Sequence, residues 1–128
     1  MLQGNFYDIQ SFSVSDQVSF PLEFTATILL NAGHPIYQGH FPGNPVVPGV
    51  CQLQMVTELA GKAVHRKLVL AESDNIKFLS LINPDLNREL EFRILIKQVE
   101  SGRLSVTASI IAGSTVFLKF KGKFDTEK

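Results

Sequence analysis

Tryptophan is absent from this 128-residue chain, and cysteine occurs once, at Cys51. A lone cysteine excludes an internal disulfide framework. With no companions at metal-ligand spacing, Cys51 reads as a small buried hydrophobe and implies no metal. Long apolar runs are missing as well: none approaches the roughly 20 residues that a helix needs to cross a bilayer. The opening "MLQGNFYDIQ" lacks the basic-then-apolar order of a signal peptide. The expectation is therefore a cytoplasmic protein with no membrane partner. Internal repeats and low-complexity tracts are absent too.

Positive charge is missing from the first half. All 12 Lys and Arg residues follow Gly61, whereas Asp8, Asp16, Glu23 and Glu58 precede it. The formal net charge is zero, which argues against nucleic acid as the main partner. The basic surface thus belongs to the second half. Lys119, Lys121 and Lys123 follow at period 2 and should project from one face of a strand, while Arg66 and Lys67 sit side by side after a helical run. Two readings stand for these lysines: a solvated face blunting a sheet edge, or a docking patch for an acidic partner.

What is present suffices for a core. Hydrophobic residues make up 45% of the chain and charged ones 19%, so residues 1–128 are expected to form a single domain. In "EFTATILLN", strict alternation puts Phe24, Ala26, Ile28 and Leu30 on one side of a strand. From Pro48 to about Val64 the pattern turns helical, with proline suited to the first turn. After Lys67 the chain reads as β. "VLAESDNIKFLSLI" is one strand or two around a bend, and "NPDLN" is a turn. Then Leu90, Phe92, Ile94 and Ile96 alternate, as do Leu104, Val106, Ala108 and Ile110 before "TVFLKFKGKF". One long helix and an antiparallel meander give an α+β class, with the helix laid across the sheet.

At about 100° per residue the helix has two faces. Leu53, Met55, Val56, Leu59, Ala60, Ala63 and Val64 share one, and Gln54, Thr57, Glu58, Gly61 and Lys62 the other. Gln52 falls in the middle of the apolar face and needs a hydrogen-bond partner if buried there. Gln54 and Glu58, at i and i+4, stand one above the other. His65 closes the helix, where the dipole favours it. His34, before Pro35, reads as a turn histidine or a residue lining the same cleft as His40.

The stretch before the helix, "QGHFPGNPVVPGV", surrounds His40 with backbone-fixing residues. Prolines fix φ and glycines permit close backbone approach, so the loop forms a shelf that leaves His40 little freedom to lose. A histidine that merely caps the loop is the competing reading. "GHFPGNPVVPGV" resembles the signature of the β-hydroxyacyl-acyl-carrier-protein dehydratases of the hotdog fold, through His40, Phe41, Pro42, Gly43, Pro45, Pro48, Gly49 and Val50. The resemblance extends over most of the chain and leaves residues 1–17 outside. It implies an antiparallel sheet wrapped around one long central helix, and a homodimer or higher homo-oligomer. An acyl-carrier protein bearing the substrate would be the partner, and no cofactor is implied.

By this resemblance His40 removes the C2 proton of a (3R)-3-hydroxyacyl thioester, and an acid helps the 3-hydroxyl leave as water. Phe41, Pro48, Gly49 and Val50 would border the substrate. The unpaired N–H groups near Gly49 and Val50 would face the thioester carbonyl as it gains enolate character. The family places an aspartate or glutamate fourteen positions after the histidine; this chain has Gln54, and an amide cannot protonate a leaving hydroxide. Glu58, one turn later, is either a substitute acid or a solvated helix residue. The "PGVCQLQ" opening is also similar to the hotdog dehydratases of aryl-polyene pathways, which pair a glutamine at the position of Gln52 with a non-acidic residue at that of Gln54. Lys119, Lys121, Lys123, Arg66 and Lys67 are the expected carrier-docking residues. The function classes left open are a dehydratase of fatty-acid, lipid A or polyene assembly, a non-catalytic acyl-thioester binder, and a hotdog thioesterase.

Overall fold

The computed structural model describes residues 1–39 and 43–127. Its strands are β1 (Tyr7–Phe12), β2 (Leu22–Leu30), β3 (Lys67–Phe78), β4 (Glu89–Gln98), β5 (Leu104–Ala112) and β6 (Thr115–Glu127). A short helix, α1 (Ile36–Gly39), precedes the long helix α2 (Gly49–Val64). The strands form one sheet in the order β1-β2-β4-β5-β6-β3, with every neighbouring pair antiparallel. This is the α+β hotdog arrangement expected from the sequence. Among the described residues no helix is long and apolar enough to cross a membrane.

Register explains how the sheet receives the helix. Ala26 pairs with Phe92, Phe92 with Ile110, and Ile110 with Leu118; one row along, Phe24, Ile94, Ala108 and Phe120 line up in the same way. Side chains in such rows share a face. All eight are buried, and they pack with Met55, Val56, Leu59, Ala60, Ala63 and Val64 of α2. Small residues stand beside large ones, Ala26 opposite Phe92 and Ala108 opposite Phe120, which lets facing side chains interdigitate. Truncating Phe92 to alanine would cost about 3–5 kcal/mol.

Two departures from the sequence reading have local causes. Residues 1–17, which the resemblance leaves outside, supply a strand that the sequence reading does not name: β1 pairs with β2 from Tyr7↔Leu30 to Phe12↔Ala26. A bulge between Ile9 and Ser11 breaks the alternation and hides the strand from a period-2 search. Gly61 was assigned to the polar face of α2 but is buried. The chain turns back over it, and a Cβ there would lie 2.8 Å from the Arg66 carbonyl oxygen.

The helix ends are built differently. Pro48 occupies the N-cap, so the helix proper starts one residue after the proline. At the other end His65 adopts the left-handed conformation at φ 56°, with Arg66 N–H donating to Gly61 O at 3.1 Å and His65 N–H to Lys62 O at 3.4 Å. That bond pair is a Schellman closure with histidine in the position glycine usually takes.

Candidate active site

His40 and Phe41, the first residues singled out by the sequence, lie outside the described residues. Their neighbours are placed. Gly39 ends α1, and Gly43 resumes the chain at φ 85°, a value that glycine adopts without strain. Val47 is buried and its N–H donates to Ile82 O at 2.9 Å, which ties the loop to the segment after β3.

Pro48, Gly49 and Val50 form the mouth of α2. Cys51 and Gln52 N–H both donate to Pro48 O, at 3.0 and 3.1 Å, and the amides of Gly49 and Val50 have no partner among the described residues. These two donors stand at the positive end of the helix dipole. Val50 is exposed, and the Phe78 ring closes over Gly49 from the last residue of β3. Gln52, 4% exposed, donates through Nε2 to Val47 O at 3.2 Å, while its Oε1 is buried with no partner among the described residues. The Tyr37 hydroxyl is likewise buried, with no partner among the described residues. Burial, with Cys51 and Asp85 nearby, pushes its pKa well above the ordinary tyrosine value. Burial also raises the Cys51 thiol.

Gln54 and Glu58 come together on the outer side of the helix. Gln54 Nε2 donates to Glu58 Oε2 at 2.8 Å. The same carboxylate accepts from Leu2 N–H at 2.8 Å, Gln3 N–H at 3.0 Å and the Tyr7 hydroxyl at 3.1 Å. Partial burial raises the Glu58 pKa, but the bonds from Leu2, Gln54, Gln3 and Tyr7 outweigh it and hold the group below the usual carboxylate range. Hydrogen bonds to the charged form work in that direction. Tyr7 moves the opposite way, raised first by burial and then by the Glu58 charge, so its hydroxyl remains a donor. Helical spacing announces the Gln54–Glu58 pair but not its anchoring, because two of the donors are backbone amides 55 and 56 positions away.

A groove of about 620 Å³ runs along this side of α2, from Gln54 and Glu58 past Lys62 to His65, Arg66 and Lys67. The expected carrier-docking residues therefore divide into two places. Arg66 and Lys67 lie at the end of the groove, with Lys67 3.5 Å from Glu127. Lys119 and Lys121 line a shallow depression on the outer face of the sheet together with Arg93. Lys123 is half-buried and bonded to Asp74 at 3.2 Å. His34 sits in the turn before α1. Its Nδ1 accepts from Ile36 N–H at 3.1 Å, and its ring meets Phe6 edge-on.

Comparison with known proteins places this geometry. The model of the ApeI-like family, described as ApeI dehydratase, matches residues 16–116. The chain belongs to the ApeI-like dehydratase family. The 3-hydroxyacyl-[acyl-carrier-protein] dehydratase FabZ of Rhizorhabdus wittichii is 31% identical over 99 residues, covering 77% of this chain and 59% of that protein. The chain spans about half the length of other curated relatives that it matches. Among solved structures, an uncharacterized protein from Erwinia carotovora subsp. atroseptica superposes with a TM-score of 0.66 at 22% identity, covering 93% of this chain and 94% of its own. The dehydratase heterocomplex ApeI:P from Xenorhabdus doucetiae gives 0.54 at 20% identity, with 83% and 98% covered. At these identities the structural likeness speaks for the fold, while membership of the ApeI-like family rests on the matched family model.

Proposed function

We propose that this ApeI-like protein is a hydro-lyase acting on (3R)-3-hydroxyacyl thioesters of an acyl-carrier protein and forming trans-2-enoyl thioesters. The observation that carries the reading is the family match, because residues 16–116 enclose both the His40 loop and the whole of α2. In this reading the neutral His40 imidazole takes the C2 proton, and the electrons of that bond form the C2–C3 double bond. The C3–O bond breaks, and the oxygen leaves as water after gaining a proton. Imidazole suits the first step because its ordinary pKa of about 6.5 leaves it largely unprotonated near neutral pH. The amides of Gly49 and Val50, which have no partner among the described residues, offer the thioester oxygen donors as negative charge develops on it. Gln54, at the position where the wider family has an acid, holds the hydroxyl by hydrogen bonding.

The unit of function in this proposal is at least a dimer. β3 is an edge strand, and Phe78, Leu79 and Leu81 at its end are 51%, 52% and 75% exposed. Such an edge is a template for a second chain, and joining two copies along it would set their helices side by side. The carrier docks on the basic second half. Incubating the protein with a carrier-bound 3-hydroxyacyl thioester tests the reading. An enoyl product supports it, released free acid replaces it with a thioesterase, and unchanged thioester with measurable binding replaces it with an acyl-thioester binder.

A further inference from the structure

We infer that Glu58 is a positioning residue that fixes the Gln54 carboxamide with its carbonyl oxygen turned to the groove, making Gln54 a hydrogen-bond acceptor for the substrate's 3-hydroxyl and not a donor to it. The inference rests on the dehydratase reading for the identity of the substrate. The orientation of the amide rests only on the geometry and on the chemistry of the partners.

An ionised carboxylate accepts hydrogen bonds and donates none, so the end of Gln54 that faces it must be the NH₂ group. The 2.8 Å contact between Gln54 Nε2 and Glu58 Oε2 fits that assignment. Glu58 is itself held ionised. Leu2 N–H, Gln3 N–H and the Tyr7 hydroxyl approach its two oxygens at 2.8, 3.0 and 3.1 Å, and each of these donors favours the charged form. The two amides belong to the segment before β1. That segment is anchored in turn by Phe6 N–H donating to Leu2 O at 2.8 Å and by Asn31 N–H donating to Phe6 O at 2.9 Å. The orientation of Gln54 is thus set by a chain of contacts running from β2 through the N-terminal segment to the helix. Gln54 Oε1 has no donor among the described residues and belongs to an exposed side chain lining the groove.

The proton balance follows. Neither Gln54 nor an ionised, fully engaged Glu58 supplies the proton that turns the leaving hydroxide into water. On the dehydratase reading the donor is His40: the imidazolium formed when the C2–H bond breaks returns that proton to the oxygen as the C3–O bond breaks, and ends neutral. An acceptor at Gln54 assists by binding the hydroxyl hydrogen, which leaves an oxygen lone pair for the imidazolium.

A single ionising group predicts a one-sided pH profile. kcat/KM of the wild-type dimer should rise through the imidazole range and then stay level to about pH 9, whereas a base and a separate acid give a bell. Gln54→Glu should convert the profile to a bell. Glu58→Gln should lower kcat about tenfold or more with little change in KM, because the acceptor is misplaced and the substrate site is not removed. Side-chain amide NMR gives a readout independent of turnover: one Gln54 N–H should exchange slowly in the wild type and fast in Glu58→Gln. A bell-shaped wild-type profile that becomes one-sided in Glu58→Gln would identify Glu58 as the acid and overturn the inference while leaving the dehydratase reading intact. Fast exchange of both Gln54 N–H protons in the wild type would overturn the orientation itself. A wild type that turns over no 3-hydroxyacyl thioester would remove the dehydratase reading and the role assigned to Gln54 with it.

Discussion

The ring of Phe78 covers Gly49 at the first turn of α2, so closely that a Cβ built on the glycine would lie 2.8 Å from Phe78 Cζ. The ring is 51% exposed, and its far edge can swing away. Alanine in place of glycine favours a helix by at most about 1 kcal/mol. These effects oppose each other. Gly49→Ala should therefore change the melting temperature by only a few degrees, yet displace the ring from the mouth of the helix and lower turnover about tenfold or more. A loss of more than about 3 kcal/mol in stability would show that the ring cannot yield.

At the opposite end of the helix His65 holds φ 56°, the left-handed region that costs a side-chain-bearing residue about 1 kcal/mol or more. The Schellman bonds from His65 and Arg66 are made by backbone and do not need the imidazole. His65→Gly should raise stability by about 1 kcal/mol, a gain of roughly 2–5 °C in Tm for a chain of this size. Calorimetry showing no gain would mean that the imidazole contributes as much as the strain removes.

Much of the architecture was legible because its periodicity is clean. In Phe24 to Leu30, Leu90 to Ile96 and Leu104 to Ile110 every second residue is apolar, with Leu29 and Leu95 the only apolar residues between them, and each set lies buried in the core with α2. β3 was harder to read, since it is an edge strand exposed on both sides with bulges between Leu70 and Glu72 and between Ser73 and Asn75. The Gln54–Glu58 pair was visible from helical spacing alone. Its anchoring was not, because amide donors from Leu2 and Gln3 carry no residue-type signal and the strand that brings them there is itself disguised by a bulge. Gln52 illustrates an intermediate case: its need for a partner followed from the helix angle, and Val47 O supplies it for the Nε2 end alone.

Acid and alkali should both act on the Tyr7–Glu58 contact. The folded pKa of Glu58 is lowered from about 4.5, so its contribution to stability is present above that value and is lost as pH falls through the folded pKa. The stability difference between wild type and Glu58→Gln should accordingly shrink below pH 4. The two tyrosines of the chain, Tyr7 and Tyr37, are raised from 10.0 chiefly by burial. A raised pKa keeps its full contribution below 10 and loses it as pH climbs, because the unfolded chain ionises first. Ultraviolet titration should show no phenolate until the protein unfolds cooperatively in alkali. A phenolate signal near pH 10 with the fold intact would contradict the burial of either ring.

Lys77 and Lys119 stand directly opposite each other across β3 and β6, both exposed, with Lys121 facing Asn75 two residues along. Like charges in that relation destabilise a sheet, and an opposite pair is worth about 0.2–1 kcal/mol. Lys77→Glu should therefore stabilise the fold by up to about 1 kcal/mol at low salt, with the gain fading as the screening length falls to about 8 Å at physiological ionic strength. The same change lowers the net charge by two units on a surface that also holds Lys121 and Arg93, the latter already 2.8 Å from Glu91. If an acidic carrier protein approaches this side of the sheet, its association should slow several-fold and become less sensitive to salt, while kcat with saturating carrier stays the same. The rival site is the end of the groove at Arg66 and Lys67. Stopped-flow association of Lys77→Glu and of an Arg66→Glu variant with one acyl-carrier protein separates the two faces: the variant whose on-rate falls marks the docking surface, and a stabilised Lys77→Glu with an unchanged on-rate would return the sheet lysines to the role of a solvated, edge-blunting face.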